Sequence, residues 1–185
     1  MKTRIYVSKK IKKVHRGLEL KPLPEKEDML AHENSWNANY LSYDGKKCWI
    51  LSHSKTRYTV VLPDVSAKKL KELRWFFLDQ IVNQYLKGFG MDRFEAQIDP
   101  YHFNSFFGDF EFYPTNNDKS CIGYVNQKIV ALDWHKYVGR SFEDIPFYRF
   151  GAALNELGTM KRGGKSVYIH PDQEMLEHIK QFHLL

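Results

Sequence analysis

Cysteine is scarce in this chain, and its scarcity removes several classes of protein at once. Cys48 and Cys121 are the only two among 185 residues, so there is no disulfide framework and no CxxC pair for zinc or redox work. Both sit in apolar surroundings, Cys48-Trp49-Ile50-Leu51 and Cys121-Ile122, which suit small buried thiols. A single disulfide between them stays open at this stage. Long hydrophobic runs are also missing, since no stretch approaches the ~20 apolar residues that cross a bilayer. The basic N-terminus is not followed by the apolar run of a signal peptide. These absences point to a cytoplasmic protein in a reducing compartment, with no membrane partner.

The familiar signatures of chemistry are absent as well. Neither GxGxxG nor GxxxxGK[ST] occurs. Arg162-Gly163-Gly164-Lys165-Ser166 resembles the tail of a phosphate loop, but it lacks the leading glycine and reads as a basic turn before a strand, with phosphate binding as the alternative. Eight histidines are present, yet there is no HExxH. His178 and His183 are five apart and fall on different faces of a helix, so a metal would need ligands gathered from distant segments. No metal and no cofactor is expected. No GxSxG elbow marks a nucleophilic serine.

What the chain does have is a core. Hydrophobic residues make up 43% and aromatics 15%, enough for one domain and too short a chain for two. Thr3 to Val7 alternates like a strand, and Ser8 is placed to cap a short basic helix through Val14. Pro22 and Pro24, followed by Glu25, Lys26, Glu27 and Asp28, read as an exposed connection. Trp36 to Tyr43, Lys46 to His53 and Thr56 to Leu62 read as three strands, the first two joined by Asp44-Gly45, a strong hairpin signal. Ser66 is placed to cap a helix carrying Leu70, Leu73, Phe77, Ile81 and Leu86 and ending before Gly88 and Gly90. Phe110 to Tyr113 suits a further strand. A helix follows from Asp118 to about Tyr137, another from Asp144 and Pro146 to Leu157, then a strand over Lys165 to Ile169. Pro171 opens a C-terminal helix with Met175, Leu176 and Ile179 inward. Strands first and helices afterwards imply a single-domain α+β fold, an antiparallel β-meander packed against several helices.

Charge is the next informative feature. Nine of the 28 Lys and Arg lie in residues 1–26, against only Glu19 and Glu25. The rest of the chain is close to neutral. A cationic segment of this kind attracts polyanions, because neutralising phosphates releases counterions. Lys9, Lys10, Lys12, Lys13 and Arg16 are therefore the candidate nucleic-acid-binding residues; the bland alternative is a solvated helix face above Ile11 and Val14.

A second cluster is His53-Ser54-Lys55-Thr56-Arg57-Tyr58, with Glu33 across the meander. His53 or Glu33 as general base, with Lys55 or Arg57 steadying a phosphorane, would suit metal-independent RNA cleavage. The same groups would also bind phosphate without cutting, or form a plain hairpin turn with Arg57 on an exposed strand.

The span from about Asn34 to Met160 resembles a bacterial family known only as a domain of unknown function, whose members often look like products of plasmid, phage or other accessory genes. The likeness rests on Trp36-Asn37-Ala38-Asn39-Tyr40, Asp44-Gly45-Lys46-Lys47-Cys48-Trp49-Ile50-Leu51, Thr56, Pro63-Asp64-Val65, Thr115-Asn116-Asn117, Ser120, Gly123, Asn126, Leu154-Asn155-Glu156 and Met160. It brings no catalytic residue with it. It directs attention to Trp36, Asn37, Asn39, Thr115, Asn116, Ser120, Asn126 and Asn155, which form a hydrogen-bonding pocket if they converge and are turn residues and helix caps if they do not.

The leading expectation is a non-catalytic binding protein for nucleic acid or an acidic protein partner. The rival is a small endoribonuclease of toxin type using His53, Lys55, Arg57 and Glu33. A third reading is a module whose exposed aromatics between Phe103 and Phe112 dock a protein.

Overall fold

The computed structural model of the protein describes residues 2–89 and 100–182. Its elements, in chain order, are β1 (Thr3–Val7), α1 (Lys9–Val14), α2 (Lys26–Ala31), β2 (Ser35–Tyr43), β3 (Lys46–His53), β4 (Thr59–Leu62), α3 (Ala67–Lys71) and α4 (Leu73–Phe89). There follow α5 (Pro100–Phe106), β5 (Phe110–Pro114), α6 (Lys119–Tyr137), a 3-10 turn at Phe142–Asp144, α7 (Phe147–Glu156), β6 (Gly158–Arg162), β7 (Lys165–Ile169) and α8 (Pro171–Phe182). This is the α+β fold in one domain that the order of elements implies. Gly90 and His183 lie outside the described residues.

The meander forms as expected over β2, β3 and β4, and Asp44 (φ 49°) and Gly45 (φ 75°) take the paired positive φ of its first turn. The sheet as a whole is mixed. Its order is β4-β3-β2-β1-β5, with β1 parallel to both β2 and β5. Thr3, Ile5, Tyr6 and Val7 are all buried, the mark of a strand with neighbours on both sides. The connection from Ser8 to Asn34 has the dozen or more residues that a parallel return needs.

Helices cover both faces of this sheet. On one face Ile5, Val7, Trp36, Trp49, Leu51, Val60 and Leu62 pack with Ile11 of α1, Phe77 and Ile81 of α4, Phe103 and Phe106 of α5, and Met175 and Ile179 of α8. On the other, Tyr43, Cys48, Ile50 and Val61 pack with Val125 and Leu132 of α6 and Leu154 of α7. Burial on both sides explains the unbroken apolar run Cys48-Trp49-Ile50-Leu51 in β3. Cys48 and Cys121 are buried free thiols, and burial pushes each up to about 11.

Several boundaries differ from the sequence reading. Residues 26–31 form helix α2 instead of an open connection, with Glu27 and Asp28 in its first turn, where carboxylates favour the helix dipole. Ser66 caps only the short α3; the chain breaks at Glu72 before α4 begins and runs on through Gly88. Strand β4 starts at Thr59, because Ser54 to Arg57 are spent on a turn. Gly158 does not simply stop α7. It opens β6, whose pairing with β7 makes a separate two-stranded sheet. Phe103, Phe106 and Phe107 are buried in the main core and the half-buried Phe110 and Phe112 pack against it, so this aromatic run supplies core packing.

Candidate functional site

Strands β1 and β5 lie side by side and parallel, and their chains leave the sheet in opposite directions. After Val7 the chain enters α1, whose Ile11 joins the core on one face; after Pro114 it enters α6, whose Val125 and Leu132 join the core on the other. A crevice opens where adjacent parallel strands send their connections to opposite faces, and such crevices are common ligand sites. Here the crevice is a cleft of about 130 Å³ lined by Tyr6, Ser8, Lys9, Asn37, Ala38, Asn39, Thr115, Ile122 and Val125.

Its apolar floor comes from the sheet and α6, and its rim carries polar groups held by one another. Ser8 caps α1 by accepting from the Ile11 amide at 3.3 Å, and its hydroxyl donates to Asn39 Oδ1 at 2.8 Å. Asn39 Nδ2 donates to Asn126 Oδ1 at 3.0 Å. Asn37 Nδ2 donates to Ser54 Oγ at 3.2 Å. Four of the eight polar positions singled out in the sequence, Asn37, Asn39, Thr115 and Asn126, thus meet at or beside one cleft. Lys9 brings the basic segment to the same place. Lys10, Lys13 and Arg16 are exposed on α1 and just beyond it, and among the described residues they make no ion pair. Lys12 is different: its ammonium is held by the carbonyls of Arg16 and Leu18.

The other four positions lie elsewhere. Trp36 is buried in the core with Nε1 donating to Asn34 Oδ1 at 2.6 Å. Asn155 is also buried and clamps the edge of β4: it accepts from Thr59 N at 2.7 Å and donates to Thr59 O at 2.8 Å and Gly151 O at 2.9 Å. Asn116 shapes the turn into α6 by accepting from Asp118 N at 3.1 Å. Ser120 accepts from Arg57 Nη2 at 3.0 Å.

The turn after β3 does gather His53, Lys55, Arg57 and Glu33, but around a closed centre. His53 is fully buried. Its Nε2 lies 2.8 Å from the carbonyl of Glu33, which only accepts, so that nitrogen carries the proton. Its Nδ1 then accepts from Thr56 N at 3.3 Å. Burial, with His178, Lys55 and Arg57 nearby, holds the ring well below the usual imidazole range, hence neutral. His178 Nε2 donates to the same Glu33 carbonyl at 2.9 Å, and the Glu33 carboxylate pairs with Lys55 at the surface. Both ring nitrogens of His53 therefore serve the turn, and neither faces solvent.

A family model described as domain of unknown function (DUF6933) matches residues 4–174. The chain belongs to that family. No curated protein matches it.

In this DUF6933 chain the cleft residues that sequence reasoning missed are Tyr6, Ser8, Ala38, Ile122 and Val125. The capping role of Ser8 was legible, but its second bond to Asn39 depends on β1 lying parallel to β2, which no local pattern shows. Among the described residues, no group of three His, Cys, Asp or Glu side chains is arranged to hold a metal ion, and no helix is long and apolar enough to cross a membrane.

Proposed function

We propose that this DUF6933 protein is a non-catalytic nucleic-acid-binding protein whose α1 surface engages the phosphate backbone. The observation that supports this is the set Lys9, Lys10, Lys13 and Arg16: exposed, without acidic partners among the described residues, and beside a cleft edged by amides and hydroxyls. Cations left unpaired on a folded surface keep their full attraction for phosphates. Asn39, Thr115 and Lys9 at the cleft offer donors and acceptors suited to the edge of an unstacked base, the form in which single strands are read. The bacterial, accessory-gene setting is part of the same reading and is supported by the sequence resemblance. Binding is favoured over RNA cleavage because His53 is sealed and both of its nitrogens are engaged.

The test is binding of the purified protein to labelled single-stranded RNA and duplex DNA over a salt series, with the same samples watched for cleavage. Four phosphate contacts on a single strand predict a log-log salt slope of about −3. The double variant Lys10→Glu/Lys13→Glu should flatten that slope and weaken binding while the fold is kept. Absence of salt-sensitive binding would overturn the reading and turn attention to an acidic protein partner; cleavage lost in His53→Ala would replace it with the endoribonuclease.

A further inference from the structure

On the opposite flank of α6 from the cleft lies a second pocket, of about 210 Å³, lined by Arg57, Ser120, Gly123, Tyr124, Gln127, Thr159, Met160 and Ser166. The helical period separates the two: Ile122 and Val125 face the cleft, while Ser120, Tyr124 and Gln127 face this pocket. Its outer wall is the β6–β7 hairpin.

Two observations mark the pocket as built for something absent from the chain itself. First, Arg57 is only 7% exposed, yet among the described residues it makes no ion pair. Its guanidinium donates to Ser54 O at 2.6 Å and to Ser120 Oγ at 3.0 Å, both neutral acceptors. Taking a charge out of water without an opposite charge is costly, and a guanidinium has five donors to place. Second, Tyr124 is 6% exposed and its buried hydroxyl has no hydrogen-bond partner among the described residues. Its neighbour Lys128 carries a further cation over the Tyr124 ring, 4.6 Å from the centroid, and donates to Leu154 O at 2.8 Å.

The lining is one buried cation surrounded by hydroxyl and amide donors, namely Ser120, Tyr124, Gln127, Thr159 and Ser166, with no carboxylate among them. We propose that this pocket binds a phosphate monoester, with Arg57 and Ser120 as its principal contacts. A planar guanidinium engages two phosphate oxygens at once, and the neutral donors suit the remaining ones. Ser166 belongs to the Arg162-Gly163-Gly164-Lys165-Ser166 turn that resembles a phosphate-loop tail in sequence. The hairpin places Ser166 in this pocket, with Lys165 exposed next to it.

Phosphate as a monoester comes either on a small molecule or at the end of a nucleic acid strand, and two arms of one experiment separate these. Inorganic phosphate is titrated at constant ionic strength while the thermal midpoint is followed. A saturable rise is expected, since a ligand bound only by the folded state stabilises it. Ser120→Ala and Tyr124→Phe should each weaken phosphate about tenfold, the usual cost of losing one hydrogen bond to a charged group. Arg57→Gln should remove the effect. The surface position of Ser120 and the isosteric change at Tyr124 keep the test decisive should Arg57→Gln fail to fold. In the second arm, short oligonucleotides with and without a 5′-phosphate compete against inorganic phosphate. A preference for the phosphorylated strand assigns the ligand to a nucleic acid end, and equal weakness of both assigns it to a phosphorylated small molecule. No saturable rise, or a rise unchanged in Ser120→Ala and Tyr124→Phe, overturns the proposal. The α1 reading is tested separately, because Lys10→Glu/Lys13→Glu leaves the phosphate titration as it is.

Discussion

His53 and Arg57 stand four residues apart at the two ends of one turn, both buried and both polar, and their surroundings differ in a way that separates structure from function. Around His53 every demand is met inside the chain: each ring nitrogen has a partner, the Glu33 carbonyl takes bonds from His53 and His178, and Thr56 closes the turn. Around Arg57 the demands are left open, since among the described residues the cation has no counter-ion and the Tyr124 hydroxyl has no partner. A closed polar network rigidifies a fold, whereas an open one is a cost that persists only where something else repays it. The backbone repeats the contrast. Arg57 is held at φ 63°, a region that costs a non-glycine residue about 1 kcal/mol or more.

The largest effect should come from breaking the closed side. His53→Ala leaves a cavity, strands the Thr56 amide and leaves the Glu33 carbonyl with His178 alone, so a loss of about 3 kcal/mol is expected. Urea denaturation measures it, and Asn155→Ala should follow at about 2 kcal/mol because the Thr59 amide and carbonyl both lose their Asn155 partner at the edge of β4. If His53→Ala were neutral, the turn would not be a closed network at all.

Acid should break the closed side next. His53 is held well below its ordinary value by burial, and His32, half-buried near Arg4, is brought down to about 4. For both, the unfolded chain binds the proton that the folded chain refuses. The stability contributed is therefore complete above pH 6.5 and falls as pH drops below it, by about 1.4 kcal/mol per pH unit for each histidine still neutral when folded. Glu111 acts in the same direction but lower on the scale. Burial opposes its ionisation, yet Lys2, Lys21 and the Tyr113 hydroxyl outweigh that and bring it down to about 2, so its contribution is lost only below the ordinary carboxylate range. Stability measured from pH 7 to pH 5 should fall in wild type, and His32→Gln should make that fall shallower.

How far the contrast was legible in the sequence depends on the range of the interactions. Ser8, Asp44-Gly45, Asp118 and the periodicity of α8 act within a few residues, and each appears where its pattern puts it. The insertion of β1 between β2 and β5 joins residues about thirty and one hundred positions apart, and no local pattern encodes it. The same limit applied to the sites. The polar residues Asn37, Asn39, Thr115 and Asn126 could be singled out by type, but only the parallel pairing and the course of α6 bring them together. Trp36 and Asn155 are of the same types and belong to the core. His53 and Arg57 read as one cluster in sequence because they are adjacent there; burial and bonding separate them.

On the open side the expected effects on stability are small, and their sign is informative. Charge reversal at Lys10 and Lys13 should change stability by no more than about 0.5 kcal/mol, as exposed positions usually do, while weakening polyanion binding. Tyr124→Phe is the sharpest comparison with His53→Ala. The substitution removes one buried oxygen that makes no bond among the described residues and packs against Gly158, where an added Cβ would lie 2.6 Å from it. Deleting an unsatisfied buried hydroxyl recovers part of its desolvation cost, about 1 kcal/mol, and leaves the ring to pack as before. Without phosphate, Tyr124→Phe should therefore match or exceed the wild type in urea. With saturating phosphate, the order should reverse, because only the wild type recovers the bond. A hydroxyl kept for structure would give a loss under both conditions, and that result would place the α6 flank on the closed side of the comparison with His53.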